Sequence, residues 1–270
     1  MARLEAAFSR LRAQRYCALM PFIIGGHPLR GMTGSLLLAL EDAGADVIEV
    51  GIPFSDPLAD GPTIQGASAR ALAQGATPRT VLNEVAAVRH RLRAPVVALT
   101  YWNPVLQFQA NGLTGPRAFA RAAQDAGLAG VIVPDLPVEE GDLLRASLRS
   151  AGLAAVFLAA PTSPPARLRL IARASQGFIY YVSVTGTTGA RRALPPALGQ
   201  GLRQLRLITT KPVCVGFGIS TPSQAAAVAR LADGVIVGSA LIHAIEQGRG
   251  RTGAIRAAGR LIRRLRRAVR

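Results

Sequence analysis

Val47-Ile-Glu-Val-Gly-Ile-Pro-Phe-Ser-Asp-Pro-Leu-Ala-Asp-Gly-Pro-Thr-Ile-Gln65 joins a buried strand to a long, stiffened loop, and the rest of the chain is best read outward from it. Ala45 to Val50 has the composition of a short strand. Alternation puts Val47 and Glu49 on one face and Ile48 and Val50 on the other. A carboxylate in such a strand costs several kcal/mol unless it is paired or protonated, so Glu49 marks a site. The loop from Gly51 to Pro62 is about twice the length of an ordinary strand-to-helix connection, which again points to function. Pro53, Pro57 and Pro62 stiffen it, and Asp56 and Asp60 charge it without basic neighbours. Asp60 can swing back over the strand end that carries Glu49. The alternative for both aspartates is an ordinary turn hydrogen bond, and it weighs more for Asp56.

Outward from this unit, apolar runs alternate with helical patterns. Strands are predicted at Ala18 to Ile24, Ala45 to Val50, Pro95 to Thr100, Gly130 to Val133, Ala154 to Ala159, Gly177 to Val182, Pro212 to Val215 and Gly234 to Val237. They are continuously apolar, as parallel strands covered on both faces are. Helices are expected around 33–43, 78–92, 115–126, 139–151, 165–174, 194–208, 222–231 and 240–247, with an amphipathic helix ahead of the first strand. The count is that of a (β/α)8 TIM barrel, an α/β fold, here one domain over residues 1–270; a doubly wound open sheet competes. Glu49, Tyr101, Asn103, Asp135, Thr188, Gly218 and Ser239 then fall at or just after strand ends, on one rim. The glycine-rich turns 184–190, 216–220 and 238–240 suggest a phosphate cradle built from backbone N–H groups and a helix N-terminus. Phe22, Ile64, Tyr101, Ile132, Tyr180 and Phe217 are the expected lining between cradle and Glu49, suited to a flat apolar group. Ordinary core packing is the alternative for each of them.

Composition narrows the class. Half of the 270 residues are hydrophobic and 17% are charged. No apolar run approaches the roughly 18 residues of a membrane span. The first ten residues lack the apolar core of a secretory signal, so a soluble, cytoplasmic protein is expected. Cys17 and Cys214 sit in apolar runs and are expected to be buried free thiols, with no metal-ligand companions. The formal net charge is +17, and Lys211 is the only lysine. Nine arginines and no acids lie between Gly248 and Arg270. Ile255, Ala258, Ile262, Leu265 and Val269 recur there at helical spacing. A docked terminal helix with a solvated basic outer face is favoured over a nucleic-acid or acidic-partner surface, since no aromatic residues interleave with the arginines.

The motifs resemble those of the tryptophan synthase alpha chain family over nearly the whole length. The resemblance rests on Glu49 to Gln65, Pro21-Phe22, Leu99-Thr-Tyr-Trp-Asn-Pro104, Val133-Pro-Asp-Leu-Pro-Val-Glu-Glu140, Ala160-Pro-Thr-Ser-Pro164, Val182-Ser-Val-Thr-Gly-Thr-Thr-Gly189, Gly216-Phe-Gly-Ile-Ser220 and Gly238-Ser239. It implies a TIM barrel that splits indole-3-glycerol phosphate into indole and glyceraldehyde 3-phosphate by a retro-aldol reaction. It implies Glu49 as general acid/base and Asp60 as acceptor of the indole N–H. Gly189, Gly218, Gly238 and Ser239 correspond to phosphate contacts, and Thr188 to a closing loop. It also implies no cofactor or metal in this chain and a pyridoxal-phosphate-bearing beta chain as partner in an alpha2beta2 heterotetramer. Asp56, Pro57, Asn103 and Pro137 match that contact surface. A stand-alone lyase releasing free indole and a non-catalytic allosteric or anion-binding barrel are the alternatives. His27 stands where the family usually has Asp, and Thr187 where it usually has Val.

Overall fold

The computed structural model describes residues 1–182, 196–216 and 218–269, the side chains of 196 and 197 apart. Nine parallel strand segments form one sheet: β1 (Ala18–Ile24), β2 (Ile48–Gly51), β3 (Val96–Leu99), β4 (Gly130–Ile132), β5 (Ala154–Val156), β6 (Leu158–Ala159), β7 (Ile179–Val182), β8 (Val213–Gly216) and β9 (Gly234–Val237). Their order is β5-β4-β3-β2-β1-β9-β8-β7-β6. The two ends of that order, β5 and β6, are consecutive in the chain, so the sheet rolls into a barrel of eight staves, as the sequence predicts. The interruption falls at Phe157, whose N–H turns to the Ser175 hydroxyl at 3.3 Å.

Alternation along the strands sorts the core into two layers. Met20, Phe22, Val47, Val97, Leu99, Ile132, Tyr180, Cys214 and Ile236 point into the barrel. Leu19, Ile23, Ile48, Val50, Ala98, Val131, Tyr181, Val215 and Val237 point out against the helices. Both cysteines are buried and free.

Twelve α-helices are described: α1 (Ala2–Ala13), α2 (Thr33–Asp42), α3 (Pro62–Ala73), α4 (Pro78–Val88), α5 (Trp102–Leu106), α6 (Gly115–Asp125), α7 (Asp142–Ser150), α8 (Pro165–Ala174), α9 (Pro196–Ile208), α10 (Pro222–Ala229), α11 (Ser239–Gln247) and α12 (Gly250–Ala268). Two of them, α3 and α5, are absent from the sequence reading. In α3, Gly61 is the N-cap, Pro62 opens the first turn, and Ile64, Ala67, Ser68 and Ala71 are buried at helical spacing. Small residues carry most of that stripe, so its periodicity is faint.

The first helix closes the N-terminal end of the barrel. Leu4, Phe8 and Leu11 are buried in the inner layer, and Phe8 packs on Phe178 with ring centroids 5.7 Å apart. Its polar groups bond the turns that lead into the strands: Arg12 to the Thr210 carbonyl at 2.8 Å, and the terminal amine to the Gly152 carbonyl at 2.6 Å.

At the other terminus α12 docks through Ala258, Ile262 and Leu265, as expected, and Arg256, Arg260, Arg263, Arg264 and Arg267 are exposed. Arg266 departs from the solvated-face reading. It turns inward and grips both oxygens of Asp46 at 2.6 and 3.2 Å, while Asp46 also accepts the Leu19 N–H at 2.9 Å. The guanidinium fork matches the planar carboxylate, which makes burial of the pair tolerable.

Candidate active site

Glu49 stands in the middle of the sheet, in register with Phe22 of β1 and Val97 of β3. The parity that sends Val47 inward sends Glu49 inward too, one layer nearer the rim. It is fully buried, and neither carboxylate oxygen has a hydrogen-bond partner among the described residues. Burial above all, and the charge of Asp60 after it, push its pKa up to about 8. At neutral pH Glu49 is therefore a carboxylic acid holding a proton.

Asp60 is brought to the same cavity by the loop after β2. Gln65 Nε2 holds its backbone carbonyl at 2.9 Å. The Tyr101 hydroxyl donates to Oδ2 at 3.0 Å and accepts the Ala59 N–H at 3.1 Å. Burial raises the Asp60 pKa to about 6, against the opposing pull of the Tyr101 hydrogen bond. Two carboxyl groups with separated pKa values thus share one cavity. Near pH 7 one can give a proton and the other can stabilise positive charge.

The cavity, about 240 Å³, opens on the rim at the C-terminal ends of the strands. Phe22, Ile64, Leu99, Tyr180 and Ile236 make an apolar slot. Tyr180 requires a glycine opposite it, since a Cβ on Gly216 would stand 2.4 Å from the Tyr180 hydroxyl. The far end is polar and built from Gly218, Ser220, Gly238, Ser239 and Ala240. Leu241 and Ile242 turn their N–H groups back to the Gly238 carbonyl, which leaves the first two N–H groups of α11 without an intrahelical acceptor. Gly218 has φ +76°, and a Cβ there would meet nothing within 4 Å. No lysine or arginine lines this end among the described residues, so an anion would be held by neutral donors and the helix dipole.

The structure brings together Phe22, Glu49, Asp60, Ile64, Tyr180, Gly218, Gly238 and Ser239 in one cavity. Thr188, Gly189 and Phe217, and the departure at Thr187, lie outside the described residues. Tyr101 and Ile132 differ from the sequence reading: neither borders the cavity. The Tyr101 hydroxyl bonds Asp60 at 3.0 Å and the ring stacks on Phe54 at 5.4 Å. Ile132 is the register partner of Leu99, which supplies the wall. Thr63, Leu99, Ile219 and Ile236 are lining residues that the sequence reading missed. For Leu99 and Ile236 the signal was available, because they share the inward parity of Val97 and Gly234.

Asp56 and Pro137 are exposed on the loops after β2 and β4, and Asn103 is exposed in α5 after β3, in one sector of the rim. Pro57 is buried there, and Leu58 beside it is 88% exposed. His27 is buried in the turn after β1, with Nε2 3.2 Å from Oε1 of Glu246 on α11, an oxygen that also takes the Arg70 guanidinium from α3. Burial holds the His27 pKa below the ordinary imidazole value.

Residues 8–269 match the family model described as tryptophan synthase alpha chain. The tryptophan synthase alpha chain of Gloeobacter violaceus is 51% identical over 242 residues, 89% of this chain and 86% of that one. The one from Geotalea daltonii is 45% identical over 93% of both chains. Among solved structures, tryptophan synthase subunit alpha of Legionella pneumophila superposes with a TM-score of 0.89 at 39% identity, covering 99% of this chain and 98% of that one. A chain of Mycobacterium tuberculosis tryptophan synthase gives 0.90 at 38% identity, with the same coverage.

Proposed function

The chain belongs to the tryptophan synthase alpha chain family, a family of lyases in tryptophan synthesis, and from that premise we propose how its cavity cleaves indole-3-glycerol phosphate. The observation that carries the proposal is the pairing of a buried, protonated Glu49 with Asp60 across one cavity. The indole ring occupies the slot of Phe22, Ile64 and Tyr180. The phosphate lies against Gly218, Gly238 and the N-terminus of α11, and the family resemblance adds Gly189, Phe217 and Thr188. Glu49 gives its proton to indole C3, which makes the ring a cation. The Asp60 carboxylate accepts the ring N–H and stabilises that charge. The Glu49 carboxylate then takes the proton of the side-chain hydroxyl as the carbon–carbon bond breaks. The bond's electron pair returns to the ring, the hydroxyl carbon becomes the aldehyde of glyceraldehyde 3-phosphate, and Glu49 is protonated again.

The rim sector of Asp56, Asn103 and Pro137 is our choice for the surface that meets a tryptophan synthase beta chain, with Pro57 shaping the loop from beneath. We assign the assembly as an alpha2beta2 heterotetramer in the cytoplasm, with pyridoxal phosphate in the partner only. No helix among the described residues is long and apolar enough to cross a membrane.

The test is indole release from indole-3-glycerol phosphate by the purified chain, with and without a beta chain, beside Glu49→Gln. Activity that rises with the partner and vanishes in the variant is expected. High activity unaffected by the partner would point to a free-indole lyase. None under either condition would overturn the reading.

A further inference from the structure

Tyr101 lies two residues beyond β3 and is only 2% exposed, next to the cavity residue Asp60. Its ring stacking and side-chain hydrogen bonds go to the loop that carries Asp60. The ring stacks on Phe54 with an interplanar angle of 30°. The hydroxyl sits between the Ala59 N–H, 3.1 Å away, and Asp60 Oδ2, 3.0 Å away. Its backbone is anchored on the opposite side, where the N–H of Trp102 donates to both oxygens of Asp135 at 2.9 and 3.1 Å. A chain of bonds therefore runs from the loop after β4, through the start of α5, to the carboxylate of Asp60.

We infer that Tyr101 is a positioning residue for the cleavage reaction: its hydroxyl aims the Asp60 carboxylate and keeps it ionised. The inference rests on the role given to Asp60 above. A phenol has one proton to donate. Because the hydroxyl oxygen already accepts the Ala59 N–H, that proton is directed at Asp60. This is the one hydrogen bond the Asp60 carboxylate receives from the described residues. A bond donated to the charged form favours that form, and it opposes the burial that pushes Asp60 toward protonation. Among the described residues, the other titratable groups facing Asp60 are Glu49 on β2 and Tyr180 on β7. Without the hydroxyl, Asp60 would be protonated over more of the working range and free to turn from the indole nitrogen.

The experiment is the pH profile of kcat for Tyr101→Phe in the complex with a beta chain. The substitution keeps the stacked ring and removes only the oxygen. The acid limb, set by Asp60 near pH 6, is expected to move up by about one pH unit. That is a loss of about fivefold at pH 6 and almost none at pH 8. A profile lowered equally at every pH, or one that superimposes on the wild type, would overturn the inference. Phe54→Leu loosens the same loop and leaves the hydroxyl in place, so its acid limb should stay at the wild-type position. If it moves as far as that of Tyr101→Phe, loop loosening explains the effect and the inference falls. Asp60→Asn separates this from the reading beneath it. Full activity in Asp60→Asn would remove the role of Asp60 and with it that of Tyr101. An inactive Asp60→Asn beside an unshifted Tyr101→Phe would remove only the latter.

Discussion

Replacing Glu49 by glutamine should abolish cleavage and stabilise the fold, and the second effect can be worked out from the burial of this one side chain. The carboxyl titrates near 4.5 when solvated and is pushed up to about 8 in the native protein, where neither oxygen finds a partner. Between those values the unfolded chain releases a proton that the native chain keeps. The native state binds more protons, so stability falls as pH rises, by about 1.4 kcal/mol per pH unit. The contribution of Glu49 is intact below pH 4.5 and lost progressively up to pH 8. At pH 7 the loss amounts to about 3 kcal/mol, a large part of the net stability of a domain. Glutamine has the same shape, remains neutral, and leaves a comparable polar group without a partner. Glu49→Gln should therefore exceed the wild type by under about 1 kcal/mol at pH 5 and by about 3 kcal/mol at pH 7. Equilibrium unfolding in urea at the two pH values measures this directly. A stability difference that is the same at both would refute the reasoning, because it would mean that Glu49 is not held protonated by burial.

Two further outcomes concern contacts away from the reacting carboxyls. Arg266→Met strips the buried Asp46 of its guanidinium partner and should cost about 3–5 kcal/mol in urea unfolding. Adding Asp46→Asn to that variant should recover part of the loss, and an unrecovered loss would mean that packing of the arginine stem, not charge, is what matters. Gly216→Ala places a Cβ 2.4 Å from the Tyr180 hydroxyl, which forces the ring into the cavity. Indole release should fall by at least about tenfold for roughly 1.4 kcal/mol of misplacement, and Tyr180→Leu in the same chain should restore part of it. An alanine variant with undiminished activity would show that the ring yields without blocking the slot.

The barrel was legible in the sequence because its strands are uniform apolar runs punctuated by glycine and proline, and every predicted run overlaps an observed segment. The inward turn of Glu49 was legible for the same reason, since a period of two leaves no choice once Val47 is assigned to the core. Side chains on loops obey no such parity. Tyr101 sits two residues beyond β3, where the backbone has left the sheet, and its hydroxyl is directed to Asp60, forty-one positions earlier. Its role could not be read from either residue alone. Helix α3 escaped because alanine and serine carry most of its buried face. Arg266 escaped because a charge run looks solvated throughout, and only the fold shows that Asp46 lies under one member of it.

Helix α1 seals the base of the barrel: Leu4 comes up against Gly130 and Gly177 at the strand starts, and Phe8 roofs over Phe178 from below. Among the described residues, the cavity of the vessel so formed is lined at the opposite rim, by the C-terminal ends of the strands and the loops after them. A molecule reacting at Glu49 is reached from that rim. A protein seated over that rim would stand between the cavity and the solvent, and a small apolar product released there would meet the partner first.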